Sequence, residues 1–198
     1  MLGPDLAVIL PEIVLSLFAM GALLGAVYTS KDALAPALTW GTALILGIMG
    51  AYIAITGSGT RVAFEGMFVD DAFARFAKVA ILWSAAAILL VGQDYMTRNN
   101  LLRFEYPVLI VLSVVGMMTM VSAGDLIALY MGLELQSLSL YVIASLRRDS
   151  VRSTEAGLKY FILGALSSGL LLFGSSLVYG FAGTTQFTGI IATLDRIV

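Results

Sequence analysis

Glu134 is the side chain whose surroundings demand an explanation. It stands eight residues into the apolar run Leu126 to Leu146, which is long enough to cross a hydrocarbon core. At ~1.5 Å per residue the carboxylate lies roughly 12 Å deep. An acid at that depth costs about 3 kcal/mol or more, and membrane proteins keep one facing a bundle interior, paired or protonated, on a route for ions or protons. At ~100° per residue, Tyr130, Ser137, Tyr141 and Ser145 fall within ~60° of Glu134. The helix therefore carries one hydroxyl-lined stripe. Gln136 and Ser139 lie on the far side and read as helix–helix hydrogen-bonding groups.

Proton transfer needs a titratable group whose affinity is switched by burial and by a partner charge. Desolvation favours the neutral acid and a nearby ammonium favours the carboxylate. Lys159 is the cation expected on the proton pathway, five residues into the next apolar run. Across an antiparallel turn it lies roughly 10 Å nearer the membrane surface than Glu134, so direct contact is not expected and the acid implies a further cation. The bland alternative is a protonated structural acid bonded to Tyr or Ser, with Lys159 extending to the surface.

These side chains must be positioned by helices. Apolar runs place spans at about 6–28, 33–56, 70–92, 105–123, 126–146 and 154–182, with 183–198 the start of a loop or further segment. The whole reads as a single all-α transmembrane domain. Pro11 and Glu12 interrupt the first run, and Glu12 reads as hydrated near an interface. Gly21 and Gly25 have the spacing for a close crossing, and Gly41, Gly47 and Gly50 are small packing positions. Lys31-Asp32 makes a polar turn. The third span must begin near Val69, with Asp71 pairing with Arg75 at i,i+4 and with Arg75 and Lys78 anchored at the interface. Asp94 to Glu105 reads as a loop. Ser153 or Thr154 is the expected N-cap of the sixth span, with Glu155 in its first turn. On that span Gly157, Gly164, Ser168 and Ser175 form a small-residue seam for a neighbouring helix. The ending at Val198 reads as an arbitrary cut in a longer polypeptide.

Of the 198 residues, 60% are hydrophobic and 12% charged, about half the charge of an average soluble domain, and this marks a polytopic membrane protein. A net charge of -2 with no basic domain argues against a nucleic-acid partner; the lipid bilayer is the expected environment. The chain has no cysteine and no histidine. That excludes thiolate-bound iron–sulfur clusters, His-ligated haem and most zinc sites, so any redox centre belongs to another chain. With the N-terminus outside, one side collects Lys31, Arg98, Arg103, Arg147, Arg148 and Arg152, and the other Arg61, Arg75, Lys78 and Arg196. Six against four favours the first side as cytoplasmic, in a bacterial cytoplasmic membrane ahead of a mitochondrial inner membrane.

The run Gly124-Asp125-Leu126, then Gly132-Leu133-Glu134-Leu135-Gln136-Ser137-Leu138-Ser139-Leu140-Tyr141, then Arg147 to Ser150 and Ser153 to Ala165, resembles the antiporter-like subunit N of proton-pumping NADH–quinone oxidoreductase, respiratory complex I. The match runs from Gly124 to Gly183, and Phe68 to Lys78 is similar to the same subunit's third-helix entrance. The resemblance implies a fourteen-helix fold, of which six helices stand here, with inverted repeats in helices four to eight and nine to thirteen. It implies that Glu134 is the fifth-helix glutamate of a proton half-channel and Lys159 the sixth-helix lysine near its cytoplasmic side. Tyr130, Ser137 and Tyr141 are then the supporting shell. The family's partner lysine on a broken seventh helix has no counterpart in these residues, nor do its eighth- and twelfth-helix lysines. The resemblance further implies other complex I membrane subunits as partners, including other antiporter-like ones, with flavin and iron–sulfur clusters there and no cofactor here. Two other readings remain at this stage, a related cation/proton antiporter subunit and a structural scaffold.

Overall fold

Pro11 decides how the chain begins. In the computed structural model, which describes residues 2–28 and 34–196, α1 (Leu2–Val8) and α2 (Leu10–Tyr28) are separated only by Ile9. Proline has no N–H to give the Ala7 carbonyl, while Ile9 N–H still reaches Asp5 O at 3.4 Å and Ile13 N–H reaches Ile9 O at 3.1 Å. The first span is thus a bent helix. The expected Lys31-Asp32 turn and the end at Val198 lie outside the described residues.

Then follow α3 (Ala35–Thr56), α4 (Ala72–Arg98), α5 (Glu105–Val121), α6 (Leu126–Ala144), α7 (Val151–Ala182) and the short α8 (Phe187–Leu194). Among the described residues five helices, α2, α3, α4, α6 and α7, are long and apolar enough to cross a membrane, and α5, at 17 residues, covers about 25 Å at 1.5 Å per residue. The all-α membrane architecture expected from the apolar runs is present, and the chain is a membrane protein. Leu15, Leu46, Leu82, Leu89, Val111, Val114 and Met118 pack α2 to α5 into one core. Gly50 lets α3 meet α4, since a Cβ there would come 2.5 Å from Trp83 Nε1. Gly21, Gly25, Gly41 and Gly47 have no atom within 4 Å of a Cβ position, so the close crossing expected there is not made among the described residues.

Three boundaries differ from expectation. Helix α4 continues to Arg98 because nothing breaks it earlier: Thr97 Oγ1 donates to Gln93 O at 2.9 Å, and the chain leaves the helix only at Asn99 and the left-handed Asn100 (φ 53°). Helix α7 begins at Val151 with Ser150 at its N-cap. Ser153 is spent elsewhere, its hydroxyl donating to Ala144 O at 3.0 Å to close the α6–α7 turn. The third difference is a hairpin before α4, with β1 (Arg61–Ala63) antiparallel to β2 (Phe68–Asp70) and Arg61 opposite Asp70, Val62 opposite Val69, Ala63 opposite Phe68.

The hairpin ties together one end of the bundle. Val69 N–H donates to Ser122 O and Gly124 N–H to Met67 O, each at 2.8 Å, and Gln186 Nε2 donates to Glu65 O at 2.8 Å. A Cβ on Gly124 would collide with the Gly66 carbonyl. Glycine is required there for the approach.

Candidate functional site

Two groups of polar side chains sit within the helical layers, and Glu134 belongs to the one between α6 and α7. Its helix starts at Asp125, whose carboxylate accepts from Ala128 N–H at 2.6 Å as an N-cap. The loop after α7 holds that start, with Leu126 N–H donating to Thr185 O at 3.0 Å. Rotation of α6 is set by α5. A Cβ on Gly132 would lie 2.8 Å from Gly116 O, and one on Gly116 would lie 2.7 Å from Gly132 O, so the backbones touch there. Glu134 is two residues, ~200°, beyond Gly132, so it must point away from α5.

What it meets is the seam on α7. Gly157 packs on Ser145, Gly164 on Tyr141, and Ser168 reaches Glu134. Ser168 Oγ stands between Glu134 Oε1 and the Tyr130 hydroxyl, the latter 3.1 Å away. A hydroxyl carries one proton, so the arrangement that satisfies all three groups runs from Tyr130 to Ser168 to the carboxylate. The result is a chain of two hydroxyls ending on a carboxylate. Beside Tyr130 is about 480 Å³ of open, mostly apolar space, lined by Leu126, Ile127 and Leu172 as well as by Ser175, Tyr179 and Thr185.

The other expected members stand apart. Tyr141 makes edge-on contacts with Tyr160 and Phe161 at ring centroid distances of 4.8 and 5.7 Å. Its hydroxyl lies against Gly164. No hydrogen bond links Ser137 or Tyr141 side chains to Glu134 among the described residues. Lys159 does not touch Glu134, as its depth indicated: its Nζ pairs with Glu155 Oε1 at 2.5 Å on the exposed face of α7. Ser139 donates to Leu135 O of its own helix at 2.9 Å, and buried Gln136 Oε1 has no partner among the described residues. Among the described residues neither side chain makes the cross-helix bond expected of it. Ser168 was the member missed as a site residue. Depth had the signal: it stands fourteen residues from Thr154, as Glu134 stands twelve from Leu146.

The second group corrects the reading of Glu12 and Lys78 as hydrated or interfacial. They are 3% and 2% exposed, and Lys78 Nζ lies 2.7 Å from Glu12 Oε1. The pair spans α2 and α4. Lys78 Nζ also sits 4.6 Å above the Phe68 ring. The expected Asp71–Arg75 pair is replaced, because Asp71 caps α4 by accepting from Ala74 N–H at 2.7 Å. Arg75 Nη1 turns to Gly59 O at 2.6 Å and to Asp70 Oδ2 at 3.3 Å, which Arg61 Nη2 also reaches at 2.7 Å. Among the described residues no group of three or more Asp or Glu side chains gathers as a metal site requires.

Residues 123–197 match the family model for NADH:quinone oxidoreductase/Mrp antiporter, transmembrane. NADH-quinone oxidoreductase subunit N of Jannaschia sp. (strain CCS1) is 75% identical over 96% of this chain, and that of Rhodobacter capsulatus is 59% identical over 97%. The chain spans about 40% of each of these relatives. A chain of respiratory complex I from Thermus thermophilus with bound aureothin superposes with a TM-score of 0.74 at 26% identity, covering 89% of this chain and 38% of that one. The Mrp complex of Dietzia sp. DQ12-45-1b shares the fold, with a TM-score of 0.69 at 20% identity, covering 90% of this chain and 20% of that chain.

Proposed function

We propose that this chain is a member of the NADH:quinone oxidoreductase/Mrp antiporter transmembrane family, whose model its residues 123–197 match, and that it carries protons across a bacterial cytoplasmic membrane as part of an NADH–quinone oxidoreductase subunit N. The observation that supports this best is the wire of Tyr130, Ser168 and Glu134 between two helices of membrane length. A carboxylate kept within a helix bundle on hydroxyl partners can bind and release a proton without breaking an ion pair. The 75% identity to a subunit N favours that branch over the antiporters that share the fold.

In this reading Glu134 holds the proton, Tyr130 and Ser168 conduct it, and Ser137 and Tyr141 line the same helix face. Lys159 marks the approach from the cytoplasmic side. The six-to-four distribution of cations supports an outside N-terminus, and in this reading residues 1–198 are one transmembrane domain. NADH oxidation and quinone reduction take place in partner subunits that hold the flavin and iron–sulfur clusters, which supply the driving force. The test is Glu134→Gln in the full-length subunit, assembled in the complex and reconstituted into vesicles. NADH-driven proton movement falls on the order of tenfold or more, as expected for loss of a positioned acid–base group. An unchanged rate would make Glu134 a structural acid and sink the proposal.

A further inference from the structure

Buried charge within a membrane helix bundle is expensive, and the Glu134 wire makes no use of the cluster around Lys78. Its members are Glu12 on α2, Lys78 and Arg75 on α4, and Arg61 and Asp70 on the hairpin. Three cations face two carboxylates, since Asp71 turns to the α4 backbone. One positive charge is therefore surplus. Arginine does not lose its proton in proteins, so Lys78 is the cation that can relieve the excess. Glu12 Oε2, meanwhile, has no hydrogen-bond partner among the described residues.

Beside the ammonium is a cavity of about 20 Å³, lined by Ala7, Pro11, Thr56, Arg61, Asp70 and Lys78. A single water needs ~10–15 Å³ measured this way and two or more polar partners, and this wall offers both. On the far side Arg61 opens to the surface, its side chain 41% exposed.

We infer that Lys78, paired with Glu12 and sharing a cavity wall with Asp70, is a second proton-exchange site of this subunit, opening through the one-water cavity onto the surface that carries the hairpin. The inference rests on the proton-carrying reading above. In the exchange, the N–H bond of the Lys78 ammonium breaks and its proton bonds to the cavity water, which passes one of its own protons to the Asp70 carboxylate; the amine and the acid are left neutral, the water is restored, and the proton leaves Asp70 for the surface beside Arg61, which relieves the excess charge. The reverse sequence reloads the amine. No electron moves. Glu12 keeps the amine oriented.

Lys78→Arg in the full-length subunit of the assembled, vesicle-reconstituted complex is the deciding variant. It keeps the charge and the pairing but cannot release a proton. The expected result is normal assembly with NADH-driven proton movement reduced about tenfold, the scale of losing a positioned acid. A wild-type rate and pH profile overturn the inference, since a purely structural pair tolerates arginine. If the larger guanidinium blocks assembly, Ala7→Val decides: it adds two methyl groups to the cavity wall and leaves the pair intact. The same loss supports the exchange site, and a wild-type rate removes it. Glu134→Gln, measured alongside, separates the two ideas: if it alone abolishes pumping, only the second site fails, and if it has no effect either, the wider reading fails.

Discussion

The two intramembrane glutamates are stabilised by opposite means. Glu134 is partly exposed and rests on neutral hydroxyls, whereas Glu12 is sealed and rests on an ammonium. A neutral partner lets an acid change charge while its neighbours stay satisfied. A charged partner makes the two ionisations depend on each other and penalises removal of either one. The contrast is between an acid resting on neutral hydroxyls and an acid whose charge is matched by a buried cation.

The most damaging test of that contrast is Lys78→Met. It strands a buried carboxylate, and the complex should lose about 3–5 kcal/mol of stability, read as a lower melting temperature and yield. Glu12→Leu combined with Lys78→Met should recover most of the loss, because an apolar pair of similar volume replaces an ion pair at little cost. Ser168→Ala removes only a hydroxyl from Glu134 and should cost about 1 kcal/mol. Equal losses at the two sites would erase the distinction. Between these in size is Gly132→Leu, which forces α5 and α6 apart where their backbones touch and should cost ~1–3 kcal/mol by overpacking, seen as reduced assembly on native gels. It should also turn Glu134 off the Ser168 hydroxyl, which sharpens the comparison by attributing the wire to helix rotation. Smallest is Glu155→Gln: its exposed i,i+4 pair with Lys159 is worth roughly 0.3–0.5 kcal/mol, so melting should barely move.

The apolar runs made the spans legible, and so was the α6–α7 contact, because Gly157, Gly164 and Ser168 recur on one helical face. The direction of Glu134 followed from its hydroxyl stripe. Ser168 was visible as packing but not as a site residue, since the same small residue serves both uses. The Glu12–Lys78 pair was not legible. Each charge alone lies close enough to a span end to reach water, and their partnership joins positions 66 apart with no local spacing to betray it. The hairpin was hidden as well: two three-residue strands are too short for alternation to register, and Asp71 beside Arg75 imitated a helical pair.

Those short strands have an outsized effect. Phe68 and Asp70 are both inward because they are two apart on β2, with Val69 between them facing out. A slip of one position in pairing, or one inserted residue in the turn at Phe64 to Gly66, would exchange them for Val69 and expose the aromatic ring and the carboxylate together. Lys78 would then face an aliphatic wall. The electrical character of a lysine inside the bundle is thus decided by the parity of a strand outside it.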